Sequence, residues 1–316
     1  MQPPTENMQA FYVGRIAINL PANTKAAGST FLFRELEKTD LESIELAIRD
    51  GVADAQSLSS WRQSKEQELR TQPRSPLLGG NMLAESKEIA PNTYLLRQYT
   101  NTAVTTSYRS TVLALVGTSA ISLETKSFDN KYPEAESRLL NILTHLAPRP
   151  TGSNAPGFYV GPLTLKDPPP EIESANVSFS LQSNPDVTFE VDTSSSVTWH
   201  DELLQNRERE GMSLFARLGV SGDIKIIHSG TRTVGAFEGY ELLLYSKAPD
   251  GRGHKFEWQY PGGSNRHLQP SIDVLMKTGQ RHPGADNPSP SLDDAQARAL
   301  WNAVIDSIRI RSASLD

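Results

Sequence analysis

The chain has 316 residues, about twice the roughly 150 residues of an average domain, so its length favours two domains. A formal net charge of -6 argues against a nucleic-acid-binding surface, and the absence of cysteine excludes disulfides, thiolate zinc sites and thiol catalysis. No run of 18 apolar residues occurs, so the sequence predicts no membrane-spanning helix.

The chain opens on a polar segment, residues 1–7, without the basic and apolar parts of a secretory signal. We expect this segment to be a flexible leader, or a mature terminus to which an initiator methionine has been added. It therefore gives no direct indication of localisation.

The first half begins with two predicted strands and continues into a long predicted helix. Apolar, β-rich residues predict strands at Phe11–Leu20 and Thr30–Phe33. Thr39, followed three residues later by Glu42, matches a capping box that starts a helix. Apolar residues then recur at three- and four-residue steps, which predicts one core-facing stripe made of Leu41, Ile44, Ile48, Val52, Ala55, Leu58 and Trp61.

The rest of the first half is predicted to be a loop, three strands and a helix. Two prolines and a diglycine make Gln72–Gly80 a loop, because neither sustains regular structure. Strands are predicted at Thr93–Tyr99, Ser107–Val116 and Ala120–Ser127. A closing helix is predicted from Pro133 until Pro148 stops it.

An internal repeat indicates where the chain divides. The tetrapeptide Phe11–Gly14 returns unchanged as Phe158–Gly161, and the predicted elements after each copy run in a similar order. The residues before the second copy, rich in proline and glycine, are typical of a linker. We therefore predict an N-terminal domain at residues 1–147, a linker at 148–157 and a C-terminal domain at 158–316.

The second half is predicted to contain strands at Val160–Leu165, Ala175–Leu181, Val187–Asp192, Asp223–Val234, Tyr240–Ser246, His254–Tyr260 and Ser271–Thr278. Caps at Thr198 and Ser291 predict the starts of two helices. Gly235–Glu241 is predicted to be a hairpin corner. In the strand at His254–Tyr260, the aromatic residues alternate with Lys255, Glu257 and Gln259, which predicts one core face and one wet face.

Each half thus contains strands, a long helix, further antiparallel strands and a terminal helix. The predicted fold class is α+β, given twice as two related domains.

The sequence contains no motif for catalysis or metal binding. His200 and Asp201 could form a proton-transfer pair, but acids in a first helical turn are also expected from the helix dipole. The histidines are scattered without ligand spacing, and Arg207 and Arg209 alternate with acids as on a solvated helix face. We predict a protein that is not an enzyme and that uses no cofactor and no metal.

Five segments, in order and spacing, resemble the immunity proteins cognate to type VI secretion lipase effectors: Val13–Pro21, Gly239–Glu241, Phe256–Trp258, Leu275–Gly279 and Leu300–Arg311. The resemblance covers nearly the whole chain. Family members carry a lipobox or another signal, and we expect that it has been removed from this chain. The resemblance implies a two-domain periplasmic protein that inhibits a phospholipase toxin by gripping its lid or active-site entrance between the two domains.

Three loops could reach such a partner: Gln72–Gly80, Lys247–Gly253 and Gly262–Leu268. Arginine and exposed apolar residues are expected near the centre of a protein interface. The predicted partner-binding residues are Arg74, Leu77, Leu78, Arg252 and Arg266, although no family motif marks them.

Two other functions stay open at the level of the sequence. A periplasmic two-lobed small-ligand-binding protein would use a cleft between its lobes, and a metabolite should then raise its thermal stability. A hydrolase would use His200 and Asp201, and His200→Ala should then abolish its activity.

Overall fold

The computed structural model describes residues 5–35, 42–149, 157–166, 170–196, 203–217, 223–247, 252–264, 266–279 and 290–310, with the backbone alone at 212–217. Its elements in this part of the chain, numbered in chain order, are β1 (Met8–Val13), β2 (Ile16–Pro21), β3 (Thr24–Arg34), β4 (Ile44–Arg49), α1 (Ala55–Thr71), β5 (Leu83–Ala90), β6 (Thr93–Tyr99), β7 (Tyr108–Val116), β8 (Ser119–Ser127), α2 (Tyr132–His145), β9 (Leu146–Pro148), β10 (Phe158–Val160), β11 (Leu163–Leu165), β12 (Ile172–Leu181), β13 (Thr188–Ser194), α3 (Leu204–Arg217), β14 (Ile224–Val234), β15 (Phe237–Ser246), β16 (Gly253–Tyr260), β17 (Ser271–Lys277), α4 (Asp294–Ile305) and β18 (Arg309–Ile310).

The chain forms two compact units. The continuous unit is Thr30–Glu173, and the discontinuous unit combines Met1–Ser29 with Ser174–Asp316. Each contains helices and antiparallel strands, which confirms the predicted α+β class. The predicted domain boundary at 148–157 lies partly outside the described residues and stays a prediction.

In the continuous unit, six strands are neighbours in the order β3-β4-β8-β7-β6-β5, and their pairings are antiparallel. Helix α1 contributes Leu58, which is fully buried, to a core cluster with Tyr94, Leu96 and Leu113 from β6 and β7. Trp61 is half-buried and packs against the same cluster, as its place on the apolar stripe predicts.

The long helix predicted from Thr39 is wrong over Ile44–Arg49, which form strand β4 between β3 and β8. Ile44 and Leu46 are both buried, at the two-residue spacing of a strand. Hydrogen bonds to two neighbouring strands make this segment a strand, although its apolar residues also fit helical spacing. Thr39 itself lies outside the described residues.

Helix α1 begins later than predicted because its capping signal lies later in the chain. Gly51 has a φ of +77°, in the left-handed region that glycine favours, and ends the β4 segment in a turn. Asp54 is the N-cap, and its Oδ1 accepts a hydrogen bond of 2.7 Å from the backbone N–H of Ser57. The Ser57 side chain completes a capping box.

The repeated tetrapeptide forms the same strand and turn twice. In both copies the last residue, Gly14 or Gly161, has a φ near +55°, at +55° and +56°. The glycine turns the chain into an antiparallel partner, so Phe11–Leu20 is a hairpin of β1 and β2 rather than the single predicted strand. Val160–Leu165 likewise holds the turn between β10 and β11.

Each hairpin belongs to a three-stranded sheet that also takes in a strand following a helix. In the discontinuous unit the order is β1-β2-β18, and β18 follows α4. In the continuous unit the order is β10-β11-β9, and β9 follows α2. Helix α2 therefore ends at His145, before the predicted stop at Pro148.

In the discontinuous unit, six strands are neighbours in the order β14-β15-β16-β17-β13-β12. Its core includes the fully buried Trp258 of β16 and Trp301 of α4. Helix α4 is capped by Asp293, whose Oδ1 accepts a hydrogen bond of 2.8 Å from Gln296 N–H, so the cap predicted at Ser291 is wrong by two residues. The hairpin corner predicted at Gly235–Glu241 is confirmed by the turn between β14 and β15.

The wet face predicted for strand β16 is covered instead. Glu257 and Gln259 are only 3% and 7% exposed, whereas Lys255 is exposed as predicted. Helix α3 covers this face, because the backbone N–H of Leu204 donates to Gln259 Oε1 at 2.7 Å and Arg207 Nη2 lies 2.6 Å from Glu257 Oε1. The prediction failed because strand alternation does not indicate which helix packs on the polar side.

Candidate protein-interaction surface

The loop Gln72–Gly80 of the continuous unit has a defined shape. Ser75 N–H donates to Thr102 O at 2.9 Å, and Leu78 N–H donates to Ser75 O at 2.9 Å. Gly79 and Gly80 have φ values of +65° and +75°, which reverse the chain toward β5. The predicted loop is therefore confirmed, and its backbone is tied to the connection between β6 and β7.

This loop holds two leucines in solvent. Leu77 is 95% exposed and Leu78 is 42% exposed. Arg74, also predicted to contact a partner, lies half-buried with its guanidinium carbon 3.8 Å from the ring centroid of Tyr99. Arg74 thus supports the base of the loop, and the two leucines form its exposed tip.

Two further exposed apolar side chains lie at the same end of the sheet. The strand register pairs Tyr99 with Tyr108, and Tyr108 with Ser127, so β6 ends, β7 begins and β8 ends side by side. The connections there carry Val104, 38% exposed, and Phe128, 44% exposed. We name Leu77, Leu78, Val104 and Phe128 the apolar corner. It holds four of the six large apolar side chains that are exposed within the described residues.

A row of aromatic rings lies behind the apolar corner. Tyr99 and Tyr108 have ring centroids 5.2 Å apart, and Tyr108 packs edge-on against Tyr132 at 5.3 Å. The guanidinium carbon of Arg97 lies 3.7 Å from the Tyr132 centroid. Burial raises the pKa of Tyr108, so its hydroxyl stays protonated and donates to Thr105 O at 2.7 Å. Tyrosine rings in tilted and edge-on contact, with two arginines over them, thus pack beneath the loop and the connections that carry the corner.

Sequence reasoning found part of this surface. It placed Arg74, Leu77 and Leu78 in one loop, but it missed Val104 and Phe128 because isolated apolar residues in short connections have no periodicity. The bounds of β6 and β7, both predicted within one residue, could have indicated that the connection between them lies at this end of the sheet. A short connection between antiparallel strands places their ends together.

The other two predicted contact residues belong to the discontinuous unit. Arg252 and Arg266 are both exposed, and they precede β16 and β17, respectively. The structure therefore assigns the five predicted residues to two units, three to the continuous one and two to the discontinuous one.

The described histidines include one with a structural role. His254 is 3% exposed, with Nδ1 2.8 Å from Thr278 Oγ1 and Nε2 3.0 Å from Asp294 Oδ1, so it ties α4 to β16 and the end of β17. His200 and Asp201 lie outside the described residues. Within the described residues, no group of three His, Asp or Glu has the geometry of a metal site.

The part of the chain that the structure describes contains no helix with the length and apolar character needed to cross a membrane.

Comparisons with known proteins give a consistent result. A family model described as "Tle cognate immunity protein 4 C-terminal domain" matches residues 153–313. The apo structure of immunity protein TplEi of T6SS from Pseudomonas aeruginosa is similar, with a TM-score of 0.76 and 19% identity over 99% of this chain and 100% of that chain. So is the crystal structure of the Tle4-Tli4 complex, with a TM-score of 0.76 and 20% identity over the same shares.

A third structure, TplEi from Pseudomonas aeruginosa complexed with "L" peptide, has a TM-score of 0.72 and 17% identity over 98% of this chain and 100% of that chain. No curated protein matches the chain. At these identities the structural likeness concerns the fold.

Proposed function

The chain belongs to the Tle cognate immunity protein 4 family, and on that premise we propose that it binds and inhibits a cognate phospholipase effector of a type VI secretion system. It acts as a binding protein and not as an enzyme. One similar structure is a Tle4-Tli4 complex, which supports a heterocomplex with the effector as the functional form of this chain.

The apolar corner is the observation that carries this proposal at the level of residues. Its four exposed apolar side chains gather at one end of the sheet, and clustered exposed apolar side chains mark interaction sites. Tyrosine and arginine are enriched in protein interfaces and among the residues that dominate binding. Leu77, presented on a hydrogen-bonded loop whose Arg74 lies against Tyr99, can enter a partner's pocket at little cost in ordering.

Inhibition by contact requires the chain to cover a region that the lipase needs for access to lipid. We propose that both units contact the effector and that the protein grips the lipase lid or the entrance to its active site. Arg252 and Arg266 would make the contacts of the discontinuous unit. Arg252→Glu with Arg266→Glu should weaken the complex measurably, whereas Arg298→Glu, an exposed arginine of α4 in the same unit, should not.

We also propose that the two similar halves are related domains and that the protein acts in the periplasm. The repeated strand-and-turn tetrapeptide supports the first statement, and the family resemblance supports the second. Fractionation of cells that express the protein from its own gene would test the location. Recovery only with cytoplasmic markers would contradict it.

A titration of enzyme activity tests the function itself. The purified cognate effector hydrolyses phospholipid vesicles while this chain is added in steps. We expect activity to fall in proportion to the added chain and to reach its minimum near one equivalent, with a single complex on size exclusion. Full activity in excess chain, with separate elution of the two proteins, would refute the proposal.

A further inference from the structure

A polar cavity of about 590 Å³ lies on the sheet of the discontinuous unit, where β12, β13, β17 and β16 are neighbours. Helix α3 contributes Arg207 to its wall. The described lining contains four carboxylates and one guanidinium, and the carboxylates are Glu190, Asp192, Glu257 and Asp273. The cavity therefore has an excess of negative charge.

The strand register brings these carboxylates together. Asp192 and Asp273 are direct cross-strand partners on β13 and β17. Directly opposed residues have Cβ atoms about 5 Å apart, and like charges at such positions are destabilising. Asn176 Nδ2 donates both to Glu190 Oε1 at 3.1 Å and to Asp192 Oδ2 at 3.3 Å, so one amide group serves two carboxylates. The repulsion is thus only partly offset.

A single arginine serves the other two carboxylates. Arg207 Nη2 lies 2.6 Å from Glu257 Oε1 and 3.1 Å from Asp273 Oδ2. Burial raises the pKa of Asp273 to about 7; the negative charges of Glu257 and Asp192 add to the rise, and Arg207 opposes it. Arg207 and Gln259, whose Nε2 donates to Asp273 Oδ2 at 3.2 Å, both lower this pKa, but burial and the neighbouring carboxylates outweigh them.

Glu257 already has a cation at each oxygen. It is 3% exposed, its Oε1 lies 2.6 Å from Arg207 Nη2, and its Oε2 lies 3.0 Å from Nζ of the exposed Lys255. The uncompensated negative charge of the cavity therefore lies with Glu190, Asp192 and Asp273.

We propose that this cavity binds a cationic side chain of the effector, through a guanidinium or primary ammonium group. The proposal rests on the proposed function and adds the chemistry of one contact. A cation beside Asp192 and Asp273 would relieve the repulsion between these opposed carboxylates. A guanidinium fits best, because its planar fork can donate to two carboxylate oxygens at once.

Binding measurements with charge-removing variants test the proposal. Asp273→Asn and Asp192→Asn keep the side-chain shape but remove a charge that the cation would contact. Loss of a buried charged partner should raise the Kd for the effector roughly 30-fold in isothermal titration calorimetry. Glu238→Gln, at an exposed carboxylate of β15 in the same unit, should change the Kd by less than about twofold. Wild-type affinity in both cavity variants would overturn the proposal.

The pH dependence of the complex provides a second test. Protonation of Asp273 competes with cation binding, so the Kd should rise by up to about tenfold per pH unit below pH 7. Asp273→Asn should lose this part of the dependence, and Glu238→Gln should keep it. Among the described residues, the other charged groups around Asp273 are Arg207 of α3, Glu190 and Asp192 of β13, and Glu257 of β16, which Lys255 pairs. An unchanged pH profile in Asp273→Asn would contradict the assignment.

A titration of the free chain with arginine amide tests the cavity in the absence of the effector. We expect arginine amide to lower the pKa of Asp273, measured by NMR, in a saturable way. Citrulline amide has a similar shape but no charge, and it should leave this pKa unchanged. If the chain binds the effector but the two amides act alike, only the cavity proposal fails. If the chain does not bind the effector, the proposed function fails. The effector can then no longer be the source of the cation.

Discussion

The two compact units place arginines beside buried carboxylates, but the balance of charge differs between them. In the continuous unit, Arg97 is 2.7 Å from Glu136 and 2.6 Å from Glu85. Burial would lower the pKa of Arg97, but the hydrogen bond and charge of Glu136 raise it. In the discontinuous unit, Arg207 faces an excess of carboxylates, and the pKa of Asp273 rises to about 7.

The difference shows how similar sets of elements can carry different surface chemistry. Each unit combines a hairpin, a short strand after a helix and six neighbouring strands. The continuous unit pairs Arg97 with two carboxylates and exposes the apolar corner, whereas the discontinuous unit places four carboxylates around one arginine in a cavity. We infer that the two units would contribute apolar and electrostatic contacts, respectively, to one complex.

The largest expected effect comes from a substitution that breaks the ion pair between Arg97 and Glu136 in the continuous unit. Glu136→Gln removes the carboxylate that binds Arg97 Nε and also accepts from Ser110 Oγ at 3.1 Å. Because the Arg97 side chain is only 12% exposed, the loss should cost about 3 kcal/mol of unfolding free energy. Urea denaturation measures this. Glu88→Gln, at an exposed carboxylate of the same unit, is the control, and equal loss in both variants would contradict specific pairing.

A smaller effect concerns the apolar corner alone. Leu77→Asp places a charge at its most exposed side chain, so the complex with the effector should lose about 2 kcal/mol, or roughly 30-fold in Kd, with little change in thermal stability. Ile226→Asp makes the same change at a side chain that is 41% exposed in the discontinuous unit. Surface plasmon resonance should show faster dissociation for Leu77→Asp only. Equal weakening by both would remove the distinction between the two surfaces.

Removal of a carboxylate should stabilise the free chain in the cavity of the discontinuous unit, where carboxylates are in excess. The folded pKa of Asp273, about 7, exceeds its ordinary value of 3.8, so the folded state keeps a proton that the unfolded state has lost. Stability from this group is complete below about pH 4 and is lost as the pH rises through 7. Asp273→Asn should therefore stabilise the free chain by about 1 kcal/mol at pH 8, after subtracting the lost Arg207 pair. Thermal unfolding at pH 5 and pH 8 should show a smaller difference in the variant, and an unchanged difference would contradict this.

Local signals predicted much of the fold, and non-local packing explains what they missed. Thr93–Tyr99 was predicted with the bounds of β6 because its aromatic and apolar residues lie between turn residues, a signal that is local. Ile44–Arg49 was assigned to a helix because only its pairing with β3 and β8 distinguishes the two periodicities. The carboxylates of the cavity lie on β13, β16 and β17, far apart in the chain, so register and not spacing brings them together. The same holds for Val104 and Phe128 at the apolar corner.

The smallest expected effect compares the helix caps of the two units. Asp54 and Asp293 each accept a hydrogen bond from the residue three positions on, Ser57 or Gln296, whose side chain completes the box. The hydrogen bonds from Ser57 lower the pKa of Asp54, so its capping contribution should be complete above the ordinary value of 3.8 and be lost as the pH falls from there through the lowered pKa.

Asp54→Ala and Asp293→Ala should therefore each lower the melting temperature slightly at pH 7, by similar amounts. If the helix of the continuous unit had begun at Thr39, Asp54 would lie within it, and alanine there would raise the melting temperature because alanine favours helix interiors. The sign of the Asp54→Ala effect thus tests where α1 begins, and Asp293→Ala supplies the matched cap in the other unit.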